Sequence, residues 1–162
     1  MHEPARAPLL LLGLGNDILT DDAVGLQVAR QLAEELASDP RIAILETQEM
    51  GLALLDFLTG RREVLLVDAI QTGRAVPGTL YELEAEHLQH LTGRTPHFLG
   101  VGETLALGRQ LGLPMPERVR IFALEVADVH TLGTQLSPAV AAALPALLAR
   151  LRAAVRASLG QA

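Results

Sequence analysis

Cysteine is absent from this chain, and so is tryptophan. Without Cys there is no disulfide framework, no thiolate-ligated metal and no thiol nucleophile. Aromatic residues of all kinds make up 2% of the chain, which leaves little with which to stack bases or sugars. Positive charge is also scarce: 13 Lys and Arg stand against 19 Asp and Glu, for a formal net charge of -6. An acidic chain is poorly suited to nucleic acid or an anionic membrane surface as its main partner. No apolar run approaches the ~20 residues of a membrane span. The opening MHEPARAP also has no long apolar stretch of a secretory signal. The expectation is a cytoplasmic protein that binds neither nucleic acid nor membrane.

Apolar residues are abundant, at 49% of 162 residues, and rich in Leu, Ala and Val. That suits one folded domain spanning 1–162, with residues 1–8 as a short flexible arm holding two prolines and mixed charge. LLLLG, residues 9–13, reads as a buried strand. Val24, Val28, Leu32 and Leu36 recur every four residues, the stripe of an amphipathic helix, with Thr20 and Asp21 as candidate caps at its start. Strands follow at 42–47 and 63–69, with a short helix at 50–59 between them. Gly and Pro turn signals precede an edge strand near Leu80. A helix at 100–112, a last strand at 118–126 and a long helix from Pro138 to about Leu159, with Pro145 near its start or at a bend, complete the chain.

Strands alternate with helices, and three strands are apolar on both faces. This predicts an α/β fold with a mostly parallel sheet covered by helices on both sides. In such folds ligands sit outside the carboxyl ends of the strands. Asn16, Asp21 and Asp22 follow the first strand, Glu46 and Glu49 the second, and Asp68 ends the third. His97 stands in a loop, TPHF, and Asp128 and His130 follow the last strand.

The stretch GLGNDILTDDAVG admits several readings. A dinucleotide fingerprint needs Gly-x-Gly-x-x-Gly, but Ile18 stands at the third position, and Asp21 and Asp22 would repel a pyrophosphate there. No Lys with Ser or Thr makes a P-loop. Helix capping accounts for one acid through the dipole, and two acids plus Asn16 exceed what capping requires. Asp68 closes VLLVD, where a carboxylate is costly to bury unless bonded or bound. It serves either as an acceptor for loop amides or in a site. His87 and His90 read as a solvated helix face, His97 and His130 are ambiguous, and His2 falls in the arm. One Asp from the first loop, Asp68 and one His would form a set with two oxygens and one nitrogen. Such a set suits Ni, Zn, Co or Mn and leaves positions open. There is no Gly-x-Ser-x-Gly elbow and no His-Glu-x-x-His.

Four segments in order resemble the hydrogenase maturation proteases, the endopeptidases that finish the large subunit of nickel–iron hydrogenases. They are GLGNDILTDDAVG, LLVDAI, TPHFLGVGETLAL and LSPAV. The resemblance implies a three-layer fold with a twisted five-stranded sheet between helices. It also implies Asp22, Asp68 and His97 as metal-contacting and catalytic residues, with Gly13, Gly15 and Asn16 shaping the loop that presents Asp22. The implied partner is the nickel-loaded large-subunit precursor, from which a C-terminal extension is removed.

Two departures stand out. Asp22 occupies a position where Glu is common in part of the family, and Thr47, Gln48 and Glu49 replace a frequent Gly-Gly-Thr turn. Two mechanisms fit three ligands. The ligands grip nickel carried by the substrate, or they keep a divalent ion such as zinc that activates water, with Asp21 as a possible base. The first is preferred here. The alternative from another class is a noncatalytic nickel- or nucleotide-binding α/β module.

Overall fold

The computed structural model describes residues 6–86 and 100–160. Five strands form one sheet: β1 (Leu9–Leu14), β2 (Ile42–Thr47), β3 (Glu63–Ile70), β4 (Leu80–Glu84) and β5 (Arg118–Glu125). Their order is β2-β1-β3-β5-β4. The first four in that order are parallel, and β4 pairs antiparallel with β5 at the edge. All six residues of β1 and all eight of β3 are buried, as central parallel strands covered on both faces must be.

Helices make the outer layers. Helices α1 (Val24–Leu36) and α4 (Pro138–Gly160) cover one face, packing Val28, Leu32, Leu148 and Leu151 on Leu11, Leu65 and Phe122. The short α2 (Leu55–Leu58) and α3 (Val101–Gln110) cover the other, with Leu58, Val101 and Leu105 against Leu10, Leu66 and Ile121. The expected three-layer α/β architecture is present. By length and composition α4 would also serve as a membrane span, so the sequence expectation that no stretch approaches one needs correcting. One stripe of it, Val140, Leu147, Leu148, Leu151 and Val155, is buried in the core. Pro145 lies inside α4 on its exposed side.

Two further expectations are corrected. Residues 6–8 are anchored rather than a free arm: the Arg62 and Glu63 amides donate to the Pro8 carbonyl at 2.8 and 3.1 Å, and Arg61 donates to the Ala7 carbonyl at 2.9 Å. Asp68 does not end β3, which runs two residues further to Ile70.

Glycine sets the spacing of β1 and α1. A Cβ on Gly13 would stand 2.3 Å from the Gly25 carbonyl oxygen, and one on Gly25 would stand 2.3 Å from the Leu14 oxygen and 2.4 Å from the Val67 oxygen. Helix and sheet therefore meet backbone to backbone. Strand order reverses between β1 and β3, and α1 crosses above that point. Gly25→Ala should destabilise the protein by about 1–3 kcal/mol, because neither backbone oxygen can move aside cheaply. Gly102→Ala, on the exposed side of α3 with nothing within 4 Å, should instead stabilise by roughly 0.5–1 kcal/mol. Urea unfolding of the two variants beside the parent checks both signs.

Candidate active site at the carboxyl edge of β1 and β3

After β1 the chain folds back on itself within a few residues. Gly15 lies against the next turn so closely that a Cβ there would stand 2.1 Å from the Asp22 carbonyl oxygen. The Asn16 amide donates to that same oxygen at 3.3 Å, and the Asn16 side-chain oxygen accepts from the Ile18 amide at 3.2 Å. Asp17 is gripped by both terminal nitrogens of Arg30 on α1, at 3.0 and 2.7 Å. The same Arg30 reaches Glu46 at the end of β2 at 2.6 Å. This pairing holds the Asp17 carboxyl below its usual range, first through the Arg30 hydrogen bonds.

A 3₁₀ turn, Thr20–Ala23, then leads into α1. Neither Thr20 nor Asp21 caps it, contrary to the sequence expectation, since no side-chain cap hydrogen bond is formed at either helix start. The Thr20 hydroxyl donates instead to the Thr131 carbonyl at 2.6 Å. Asp21 turns inward and is fully buried. Its carboxylate accepts from the Ala127 and Asp128 amides at 3.1 and 3.0 Å, and from the Ser137 amide and hydroxyl at 2.7 and 2.8 Å. Bonds to a charged acceptor contribute roughly 1.5–3 kcal/mol each. Through these four bonds Asp21, the possible base of the sequence reading, ties the first loop to the segment between β5 and α4.

Asp22 is 7% exposed and Asp68 is fully buried. Strand alternation puts Asp68 on the face of Val64, Leu66 and Ile70, toward α3, and one of its oxygens accepts from the Ala69 amide at 2.7 Å. The turn carrying Asp22 packs on β3. Gly25, three residues after Asp22, abuts the carbonyl of Val67, the residue before Asp68. Two acids from separate parts of the sequence thus stand on touching backbone at the point where strand order reverses. Their hard oxygens suit a divalent ion. Among the described residues no three His, Cys, Asp or Glu side chains form a metal-sized cluster. His97, together with His2, His87 and His90, lies outside the described residues.

The other acids ranked by the sequence are placed elsewhere. Glu46 is held by Arg30, and Glu49 is exposed, its amide donating to the Thr47 hydroxyl at 3.0 Å. Asp128 accepts from the His130 and Thr131 amides at 2.9 and 2.8 Å, making a turn that leaves His130 exposed. Sequence reading missed Ser137, Arg30 and Gly25 as builders of the site. Ser137 directly before Pro138 is a recognisable helix-start signal, but its partner Asp21 is more than a hundred residues away.

A family model described as hydrogenase maturation protease matches residues 26–154. The hydrogenase 2 maturation protease of Escherichia coli (strain K12) is 30% identical over 93% of this chain and 92% of that protein. The chain belongs to the hydrogenase maturation protease family. A second relative, the hydrogenase expression/formation protein HupD of Rhodobacter capsulatus, is 28% identical over 85% of this chain and 67% of its own length. Among solved structures, the hydrogenase maturating endopeptidase HybD from E. coli superposes with a TM-score of 0.77 at 29% identity, covering 93% of each chain. The fold is therefore the family's, and the chain is a peptidase of this family.

The Asp128 turn should give this maturation protease an acid response. Its hydrogen bonds from Thr131 and His130 lower the Asp128 carboxyl to about 2 from 3.8. A depressed carboxyl contributes stability above its unfolded value, and the contribution is lost as pH falls from near 3.8 toward 2. Asp128→Asn keeps an oxygen to accept both amides but does not titrate. Thermal melts should show the parent losing more stability than Asp128→Asn between pH 4 and pH 2, about the range of that shift.

Proposed function

We propose that this protease removes a C-terminal extension from the nickel-loaded large-subunit precursor of a nickel–iron hydrogenase, acting in the cytoplasm. The observation that carries the reading is that the turn bearing buried Asp22 packs on β3, the strand that bears buried Asp68, near the strand-order reversal in a chain of this family. Hard carboxylate oxygens suit a divalent cation, and a nickel ion held in the precursor is such a cation. In this reading Asp22, Asp68 and His97 grip the substrate's nickel, and zinc or another divalent ion serves as a surrogate. Docking on the metal fixes the precursor so that the bond to be cut is presented in one geometry, which converts a loose encounter into an oriented one.

Support for a resident metal that activates water is weaker once Asp21 is committed to four hydrogen bonds. That leaves the scheme without its assigned base. The nucleotide-binding alternative also loses ground, because Asp22 stands beside the loop where a pyrophosphate would approach. Gly13, Gly15 and Asn16 shape the acid's support rather than a phosphate cradle.

Asp22→Asn and Asp68→Asn each remove one charge while keeping side-chain shape. Cleavage of nickel-loaded precursor, followed by mass spectrometry of the trimmed C-terminus, should fall at least about a hundredfold for each, beyond the range seen for residues that only support a metal ligand. Circular dichroism should show both variants folded. Full cleavage by both would remove the carboxylate pair from the mechanism.

A further inference from the structure

We infer that Asp21 is the positioning residue that aims Asp22, a role that rests on the reading of Asp22 as a ligand to the precursor's nickel. Two adjacent aspartates invite the view that they share one task, but the geometry separates them. In a 3₁₀ turn, three residues complete one revolution, so neighbouring side chains point about 120° apart. Once Asp21 is drawn inward by Ala127, Asp128 and Ser137, Asp22 has to leave the turn in another direction. The lock is reciprocal at the backbone, where the Asp21 amide donates to the Asp128 carbonyl at 3.0 Å. Asp22 is held from its other sides as well: its amide donates to the Leu19 carbonyl at 2.8 Å, and its carbonyl meets the Asn16 amide and the flat surface of Gly15. The β5–α4 segment, remote in sequence, therefore sets the position of a ligand in the first loop. It acts through a buried carboxylate that itself touches no substrate.

The segment also joins the site to α4. Ser137 gives Asp21 both its amide and its hydroxyl, and its carbonyl accepts from Ala141 in the first turn of α4 at 2.9 Å. The longest helix among the described residues thus anchors the loop of the site through one residue. A neutral amide at position 21 would keep the volume but turn an NH2 group toward donors, leaving at least one of them unmatched.

The test uses full-length protein, nickel-loaded precursor and hydrogen–deuterium exchange. Asp21→Asn should lower kcat at least tenfold with KM within about twofold, and should raise exchange in residues 16–24 while β3 keeps its protection. Leu148→Ala, which opens a cavity in the α4 layer away from the loop, is the control for general destabilisation and should keep kcat near the parent value. Ser137→Ala removes one donor of four and should give a smaller loss in the same direction, which keeps the test open if Asp21→Asn fails to fold. Parent-like kcat and exchange in a folded Asp21→Asn, or in Ser137→Ala if that variant alone folds, overturns the inference. So does an equal kcat loss in Leu148→Ala. If Asp22→Asn cleaves normally, the ligand reading fails on its own, and loosening of residues 16–24 by Asp21→Asn still decides whether the lock exists.

Discussion

Backbone touches backbone where α1 crosses β1, and the placement of the first loop follows from that contact. Gly13 and Gly25 leave no room for a Cβ on either side. The helix therefore lies close to the strand, and the turn just before it is pressed against β3. An alanine at either position would push α1 outward and carry Asp22 with it. Glycine lowers local stability through its unfolded-state freedom. That cost is accepted here because the close approach puts Asp22 beside the strand that bears Asp68.

Burial then divides the acids into separate tasks. Asp21 is satisfied by four donors and becomes structure, whereas Asp17 and Glu46 are shared by Arg30 at the rim. Asp22 and Asp68 stand at the reversal of strand order, where parallel α/β sheets place their ligands. A half-exposed pair such as Arg30 with Asp17 contributes little to global stability, yet it ties the early part of the loop to α1. The loop is thus held at both ends before any precursor arrives, which favours an oriented encounter over an adaptive one.

Much of this was legible in the sequence. The apolar runs at Leu9 and Val64 and the four-residue spacing of Val24, Val28, Leu32 and Leu36 gave the layers, because burial on one or two faces writes its period into the residues. The sequence placed Asp22 in the loop after β1, as found, and Asp68 at the end of β3, where it instead lies two residues inside the strand. The distinct role of Asp21 was not legible, because periodicity does not reveal that α1 is preceded by a 3₁₀ turn, and its donors at residues 127, 128 and 137 are distant in sequence. The anchoring of residues 6–8 was missed for a related reason: carbonyl acceptors leave no trace in residue type, so a proline-containing start reads as a loose arm. The close approach of Gly25 was hidden because a lone glycine near a helix start has many explanations.

The central proposal is that the precursor, not the protease, brings the metal. The most direct measurement pairs metal analysis of the purified enzyme with cleavage of precursor prepared with nickel, with zinc and without metal. If the account is right, the resting enzyme is nearly metal-free and cuts only the nickel-loaded precursor. One tightly held equivalent of zinc in the enzyme, with equal cleavage of the nickel-free precursor, would contradict it.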